Sequence, residues 1–390
     1  MKCAPYILLL AATAAGCAEV GEEREQPLAE IRISADTVVF DVKNTAELRV
    51  ADRGEEVTLH GKTSYRGGSS RKYEKRQYSL KLDEVYPLAG LPEAKAFVLN
   101  ASYIDKTLMR HRLNYDLFRA MHPKNVAPEC AYAHLWENED YRGIYVIMQR
   151  INAGLLGLKG KEGAALWKEP MLLYEPEVYE ELPDHRYGQK YPDPKKAALD
   201  GFLDETRDFL FNADDSVFAA EAFQRFDRRN LIDWQLLLLF SNNSDGQRKN
   251  FYLFRPERDA PLRVAVWDCD HSFGRDGDGE YNMADRPIEE ERIILFRRLN
   301  ALNPQGFREE MSERYAALRR QGLFSSEGIR KMTEGYEAEL RPHIDRNVRR
   351  WPHDAEWYYD DADFDREIEI IRQYVDVRLP ALDERFGYIR

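Results

Sequence analysis

Alternating apolar and polar positions characterise the first 150 residues. Within Gln77–Asp83, Tyr78, Leu80 and Leu82 alternate with polar residues and therefore share one face of an extended strand. Similar β-type patterns predict strands at Ile31–Val42, Glu47–Tyr65 and Phe97–Asn100, and a hairpin of Ala131–Trp136 with Gly143–Arg150. This part of the chain is therefore predicted to be rich in β-structure.

One helical pattern interrupts these strands. Apolar residues at near-helical spacing follow Asp105, a residue type that favours the N-cap position, and they stop before Pro123. A proline cannot donate the backbone hydrogen bond that a helix interior requires. The pattern predicts a helix over Lys106–Ala120.

Beyond residue 150 the pattern becomes mainly helical. It predicts helices at Leu231–Phe240, Glu289–Leu299, Phe307–Arg320, Glu327–Asn347 and Phe364–Phe386, with short apolar strands at Phe251–Phe254 and Leu262–Trp267. The predicted class is α+β, with a β-rich N-terminal lobe over 28–150 and a mainly helical C-terminal lobe over 151–390. A length of 390 residues also favours two packed lobes.

The charge balance narrows the functional classes. The net charge of −12 argues against nucleic-acid binding, which needs a basic surface. Hydrophobic residues make up 43% of the chain, enough for a sizeable core. Within this acidic chain, basic residues cluster at Arg66, Arg71, Lys72, Lys75, Arg76 and Lys81. The sequence therefore indicates a local basic pocket without a nucleic-acid partner.

The first seventeen residues predict an export signal. Lys2 precedes the apolar run Tyr6–Ala15, which is too short to span a bilayer. The run is followed by Gly16 and Cys17, in a sequence that resembles a bacterial lipobox. We expect a signal peptide over 1–17, lipid attachment to the membrane through Cys17, and a tether over 18–27. Secretion without a lipid is the alternative.

Two cysteines remain after the export signal. Cys130 and Cys269 are too few for a disulfide scaffold or a cysteine-based zinc site, although a bridge between them stays open. The histidines are scattered and form no zinc-hydrolase motif, and no serine-hydrolase motif is present. These enzyme classes are not favoured.

A polar loop follows the apolar helix Leu231–Phe240. In Ser241–Asn250 (SNNSDGQRKN), Asp245 precedes Asn250 by five positions, and a short apolar strand comes next. Phosphoryl transfer needs a carboxylate that orients the acceptor hydroxyl and an oxygen ligand for Mg²⁺, and protein kinases space these two residues in the same way. An Asx-rich turn without catalytic function is the alternative for this segment taken alone.

A second acidic segment follows the next strand. Asp268 and Asp270 lie in Trp267–Gly274 (WDCDHSFG), at the end of a continuously apolar stretch that is typical of a buried strand. Neighbouring carboxylates repel one another unless a cation lies between them. Because hard cations prefer oxygen ligands, the two segments together predict a Mg²⁺ or Mn²⁺ site.

The basic cluster supplies candidates for binding phosphate. Lys81 lies on the polar face of a predicted strand that precedes the helix Lys106–Ala120, where a kinase places its phosphate-binding lysine. An exposed strand lysine is the alternative, and Arg66 or Lys75 are rival candidates for the same role. The helix offers Asp116 but no glutamate as a partner for this lysine.

Taken together, these segments resemble the CotH family of spore-coat-type atypical protein kinases. The resemblance rests on their order along the chain: Arg66-Gly67 leading to Tyr78–Leu82, then Leu99–Arg110, Gly143–Tyr145, Ser241–Tyr252 and Trp267–Gly274. It implies a divergent, bilobed protein-kinase-like fold that uses ATP with Mg²⁺ or Mn²⁺. It also implies phosphorylation of serine-rich proteins, here of the envelope or secreted, and autophosphorylation.

The resemblance assigns roles to particular residues. Asp245 looks like the catalytic aspartate, Asn250 and Asp268 look like metal ligands, and Asp270 is the rival to Asp268. Gln149 stands near the position where family members often have a glutamate. The intact acidic residues favour an enzyme. Gln149 and export to a compartment poor in ATP favour the alternative, a surface lipoprotein that uses the fold as a binding or structural module.

Overall fold

The computed structural model describes residues 27–168, 170, 172–173, 187–243, 245–275, 293–352 and 362–389. Cys17 and the expected signal peptide lie outside these residues, as do positions 18–26 of the expected tether. Within the described ranges, no helix combines the length and apolar character that a membrane crossing requires.

A closed β-barrel forms the N-terminal part. Within the described residues its seven strands are β1 (Ala29–Ser34), β2 (Asn44–Asp52), β3 (Glu55–Arg66), β4 (Gln77–Tyr86), β5 (Ala94–Asn100), β6 (Cys130–Glu137) and β7 (Asp140–Gln149). They are ordered β1-β2-β3-β4-β5-β7-β6, and parallel pairing of β1 with β6 closes the ring. Closure removes the unpaired edges of an open sheet.

Each strand predicted in the first 150 residues overlaps an observed strand, and the hairpin of β6 with β7 is confirmed. The stretch Glu47–Tyr65 is corrected to parts of β2 and β3, because Arg53 and Gly54 adopt positive φ angles of 51° and 83° and reverse the chain. The strand predicted over Ile31–Val42 ends at Ser34.

The barrel interior is apolar, and β4 shows how the sequence pattern produces it. Tyr78, Leu80 and Leu82 are buried inside the barrel, as the alternation predicts, and they pack with Phe97 of β5. Lys81, on the opposite face of β4, is exposed. Burial of these side chains is the main favourable contribution to the free energy of folding the barrel.

Helix α1 (Arg110–Met121) lies between β5 and β6 and begins later than the predicted Lys106. The carboxylate of Asp105 accepts hydrogen bonds from the backbone N–H groups of Thr107 and Arg110, at 3.2 and 2.8 Å. Leu108 has a positive φ of 61°. These contacts shape a tight turn before the helix, so the polar groups after Asp105 are satisfied without helical structure.

A second, smaller sheet lies in the C-terminal part of the described chain. Its antiparallel order is β11-β10-β8-β9, formed by β8 (Ala165–Lys168), β9 (Gln189–Tyr191), β10 (Phe251–Arg255) and β11 (Arg263–Val266). The two short strands predicted from apolar runs are therefore confirmed as β10 and β11.

Helices make up most of the remaining C-terminal chain. They are α2 (Asp200–Asn212), α3 (Asp215–Arg225), α4 (Arg228–Ser241), α5 (Asp245–Arg248), α6 (Ile294–Leu302), α7 (Phe307–Arg320), α8 (Ser326–Leu340), α9 (Ile344–Arg350) and α10 (Phe364–Arg385). Of the predicted helix Glu289–Leu299, residues 289–292 lie outside the described residues.

The predicted helix Glu327–Asn347 is corrected to the two helices α8 and α9. Pro342 lies in the break between them and cannot donate a helical hydrogen bond. The α+β class, with a β-rich N-terminal region and a helical C-terminal region, is confirmed by these elements. Division into two lobes stays a prediction.

Candidate functional site

A cleft of about 560 Å³ brings the basic segment and both acidic segments together. Asp245, Asn250, Asp268 and Asp270 line it together with Arg66 and residues of the segment that joins β3 to β4. Of the predicted site residues, these four and Arg66 therefore meet in one place. Long-range packing places them there, because almost 180 residues separate Arg66 from Asp245 in the chain.

Helix α4 delivers the first acidic segment to the cleft. Nearly all of its residues are buried, and it ends at Asn242, whose left-handed conformation (φ 53°) turns the chain out of the core. Asn243 then accepts a hydrogen bond from the backbone N–H of Gly246 at 2.8 Å. This turn starts the single helical turn α5, which has Asp245 at its first position.

Helix α5 also sets the distance between the two candidate residues of this segment. The backbone N–H of Asn250 donates to the carbonyl of Asp245 at 3.1 Å, so five positions of sequence form one compact turn. The carboxylate of Asp245 forms an ion pair with Nζ of Lys249 at 3.1 Å and lies 3.9 Å from Nδ1 of His271. The predicted spacing is thus realised as a compact group within the cleft.

The second acidic segment leaves the buried strand β11 through a strained residue. Asp268 has a φ of 55°, in a region that residues with a Cβ rarely adopt. Two side chains of α1 accept hydrogen bonds from the backbone here: the Asp268 N–H donates to Oη of Tyr115 and the Cys269 N–H to Nδ1 of His111, each at 2.9 Å. Strained backbone conformations persist only where surrounding contacts hold them, and they are concentrated at functional sites.

Three side chains in this region offer ligand atoms to a cation. One atom each from His111, Asp268 and Asp270 lie within 4.8 Å of one another. The two carboxylates, with the neighbouring amide of Asn250 in the cleft wall, supply the oxygen atoms that a hard divalent cation prefers. The chemistry of the donor set therefore fits Mg²⁺ or Mn²⁺. Sequence reasoning did not identify His111, because no spacing signal connects it to residues almost 160 positions away.

The cysteines add no ligand to this group. Cys130 and Cys269 are buried, unbridged thiols, so the pairing left open from the sequence is not formed. Burial, together with the charges of Asp268 and Asp270, raises the pKa of the Cys269 thiol well above its ordinary value. A raised pKa disfavours the thiolate, which is the form that acts as a nucleophile or metal ligand.

On the basic side, Arg66 is close to the acidic segments. Its Nη1 donates to Oε1 of Gln77 at 3.1 Å, and its guanidinium carbon lies 5.6 Å from the ring centroid of Trp267, the residue before Asp268. These contacts place the positively charged guanidinium of Arg66 in the cleft, next to the acidic loop. Its role in binding phosphate stays a prediction.

Lys81 does not line the cleft, and its predicted placement there is corrected. It shares a face of β4 with Gln77, which does line the cleft. Lys81 lies four positions after Gln77, at roughly 3.3 Å per residue along β4. It stands opposite Lys62 of β3 in the strand register and is exposed. The polar face was predicted correctly, and the alternative of an exposed strand lysine describes its place in the structure.

Lys75, the rival candidate, lines the cleft but uses its ammonium group elsewhere. Its Nζ donates to the carbonyl of Ile144 at 2.7 Å and to Oδ1 of Asn347 at 3.3 Å. Burial, with a smaller contribution from Arg142, lowers the pKa of Lys75 to about 7. Lys75 therefore connects the segment before β4 to α9.

Two residues stand where the family resemblance leads one to expect a glutamate, Asp116 in α1 and Gln149 in β7, and both lie away from the cleft. Asp116 of α1 accepts a hydrogen bond from Oη of Tyr336 at 2.6 Å and also pairs with Arg119. Gln149 donates to the carbonyl of Pro92 at 3.4 Å. Neither Asp116 nor Gln149 lines the cleft, so neither offers a partner there to a phosphate-binding lysine.

Similarity to known proteins extends over most of the chain. Residues 63–382 match the family described as CotH kinase protein. The chain is 24% identical over 335 residues to inner spore coat protein H of Bacillus subtilis (strain 168), and the match covers 84% of this chain and 87% of that protein.

Among solved structures, the chain is similar to the crystal structure of the golgi casein kinase. The alignment covers 92% of this chain and 73% of that chain, at 9% sequence identity and a TM-score of 0.28. A TM-score this low is too weak to support any statement about mechanism.

Proposed function

The chain belongs to the CotH kinase protein family, and on that premise we propose that it is an atypical protein kinase. The proposed reaction transfers the γ-phosphoryl group of ATP to serine or threonine hydroxyls of an envelope or secreted protein. The observation that carries this proposal is that Asp245, Asn250, Asp268, Asp270 and Arg66 line the same cleft.

Asp245 is the group that would orient the acceptor. Its carboxylate lies in the cleft and forms an ion pair, at 3.1 Å, with Nζ of Lys249, the residue that follows α5. A hydroxyl that donates a hydrogen bond to this carboxylate is aligned for attack on phosphorus and loses its proton to Asp245. The new serine–phosphate bond forms as the bond to ADP breaks.

The other cleft residues would bind the nucleotide phosphates. Asn250, Asp268 and Asp270 are the side chains that would hold a divalent cation, which when bound offsets the charge of the phosphates. Arg66, whose guanidinium contacts Gln77 and Trp267, would contact phosphate oxygens. In this arrangement the chain contributes both charge and positioning to the transferred group.

We further propose that the kinase acts outside the cytoplasm, anchored through a lipid on Cys17, with a serine-rich protein as its substrate and with autophosphorylation. The supports are the apolar run Tyr6–Ala15 and the lipobox-like sequence that ends at Cys17. Recovery of the chain in the detergent phase of a phase-separation assay, lost in Cys17→Ala, would support the lipid anchor.

The test of the kinase proposal compares Asp245→Asn with the wild-type full chain. With γ-labelled ATP and Mn²⁺, we expect label in a serine-rich peptide and in the chain itself, and a fall of roughly 100-fold or more in the variant. A thermal shift with ATP and Mn²⁺ should remain, because a ligand stabilises the form that binds it.

The matched control is Asp200→Asn, which makes the same change at an exposed position on α2 and should label normally. Equal labelling by wild type and Asp245→Asn would remove Asp245 from the catalytic role. Absence of both labelling and thermal shift in the wild type would favour a binding or structural module.

A further inference from the structure

Helix α1 presents buried polar side chains to the acidic segment after β11. His111 and Tyr115 lie one turn apart, are fully buried, and accept hydrogen bonds from two consecutive backbone N–H groups, those of Cys269 and Asp268. From the same helix, Asn114 donates to Oγ of Ser272 at 2.9 Å. These hydrogen bonds therefore hold the segment with the candidate metal ligands against one face of α1.

The hydrogen bond at Nδ1 determines how His111 acts. Nδ1 accepts from the Cys269 N–H, so its lone pair is used in holding the loop. Nε2 faces Oδ1 of Asp268 at 3.8 Å and lies 3.0 Å from Nδ2 of Asn100, whose Oδ1 accepts from the Ser102 N–H at 2.7 Å. Nε2 is therefore occupied by a contact within the protein, although His111 lies within the candidate metal group.

Asp268 needs external support to keep its conformation. Its left-handed backbone (φ 55°) is unfavourable for a residue with a Cβ. Its side chain is partly exposed, and its carboxylate lies 3.8 Å from Nε2 of His111, farther than the 2.9 Å of the two hydrogen bonds that hold the backbone. The hydrogen bonds to His111 and Tyr115 therefore determine where the Asp268 carboxylate points.

We infer that His111 and Tyr115 are positioning residues that hold the Asp268–Cys269 backbone, so that Asp268 is preorganised to bind a divalent cation, and that His111 acts through Nδ1 and is not itself a ligand. This inference rests on the proposed function, since it assumes that Asp268 binds a metal. It adds two residues of α1 to the site and gives each a defined hydrogen bond.

Two substitutions at His111 separate these roles. In His111→Asn the amide oxygen replaces Nδ1 and still accepts from the Cys269 N–H, whereas in His111→Gln the amide reaches towards the position of Nε2. Tyr115→Phe removes only the oxygen that accepts from the Asp268 N–H. Mn²⁺ binding to the full chain is measured from the paramagnetic resonance of free Mn²⁺, alone and with a non-hydrolysable ATP analogue.

We expect His111→Gln and Tyr115→Phe to weaken Mn²⁺ binding by roughly 10-fold or more, the usual effect of losing a group that orients a ligand. His111→Asn should stay within about threefold of the wild type, since it keeps the hydrogen bond that orients the loop. In the metal-free chain, the Cys269 amide should exchange its hydrogen faster in His111→Gln, and the Asp268 amide faster in Tyr115→Phe.

The reverse order at His111, with Gln normal and Asn weak, would show direct ligation through Nε2 and overturn the inference. Equal Mn²⁺ affinities and unchanged exchange in all variants would also overturn it. If the wild type binds neither Mn²⁺ nor the analogue, the kinase proposal fails, while amide exchange in the metal-free chain still decides whether α1 holds the loop. Melting temperatures identify any variant that fails to fold. Tyr115→Phe loses only the hydroxyl oxygen, so it keeps the test valid if a His111 variant does not fold.

Discussion

The ammonium group of Lys75 is buried between the barrel and α9. It donates to the carbonyl of Ile144 and to Oδ1 of Asn347, and it lies 5.0 Å from the ring centroid of Tyr145. Oxygen atoms of neutral groups and an aromatic face compensate only part of the hydration that a charged amine loses on burial. Burial accordingly lowers its pKa from 10.5 to about 7.

This pKa predicts a dependence of stability on pH. Below pH 7 Lys75 is protonated in both states, whereas between pH 7 and 10.5 only the unfolded chain binds the proton. Stability therefore increases across that window, by up to about 1.4 kcal/mol per pH unit from this group. In Lys75→Met the contribution disappears, so the difference in free energy of unfolding between wild type and variant should rise with pH.

Urea denaturation at pH 6, 7.5 and 9 measures this difference. Lys331→Met, at an exposed lysine of α8, is the control and should keep the wild-type dependence on pH. A constant difference between wild type and Lys75→Met across the three pH values would contradict the lowered pKa.

At the scale of elements, the junction of α4 with α5 places Asp245. Gly246 packs against α4 so closely that an added Cβ would lie 2.7 Å from Cδ2 of Leu238 and 2.9 Å from Cγ of Asn243. Asn243 also accepts the hydrogen bond from the Gly246 N–H. A side chain at this position would therefore push the first turn of α5 away from α4 and move Asp245 with it.

We predict that Gly246→Ala destabilises the fold by about 1–3 kcal/mol, the usual cost of overpacking. It should also lower the rate of phosphoryl transfer at least roughly tenfold, since a small misplacement of a reacting group is costly. Urea denaturation and initial labelling rates measure the two effects.

Gly201→Ala is the matched control for this change. Gly201 lies in α2 with no atom within 4 Å of an added Cβ. The control should be neutral or stabilising by up to about 1 kcal/mol, because alanine favours helix more than glycine does. Equal labelling rates for the two alanine variants would show that α5 tolerates the methyl group.

At the scale of the whole molecule, α9 connects the helical region to the barrel. Oδ1 of Asn347 accepts from the backbone N–H of Ile144 at 2.9 Å, and Nε1 of Trp351 donates to the carbonyl of Arg142 at 2.8 Å. This approach requires Gly143, where a Cβ would lie 2.6 Å from Oδ1 of Asn347. The glycine of the Gly143–Tyr145 segment thus has a structural role in joining the two regions.

Asn347→Ala should destabilise the protein by about 1–3 kcal/mol. The substitution leaves the buried Ile144 N–H without its acceptor, and an unsatisfied buried donor costs about that much. Chemical denaturation measures the loss. Asn212→Ala, at the end of α2, where the side chain donates to Asp208 in an exposed hydrogen bond, should change stability by less than about 0.5 kcal/mol. Similar losses in both variants would argue against the role of α9.

Local patterns were sufficient for several features of this protein. Alternation along β4 identified the buried face, because side chains of a strand project to opposite sides. The order of the acidic segments identified Asp245, Asn250, Asp268 and Asp270, since a short turn and a strand end keep residues that are near in sequence near in space. These features depend on interactions within about ten residues, which a single sequence displays directly.

Only the tertiary structure decided which distant residues meet. Arg66 and Lys81 both lie in predicted polar segments, but the pairing of β3 with β4 places Arg66 at the cleft and Lys81 farther along the strand. The packing of α1 on the acidic loop brought His111 and Tyr115 to Asp268. Such contacts depend on how whole elements pack and on which buried polar groups find partners, and no local periodicity encodes either.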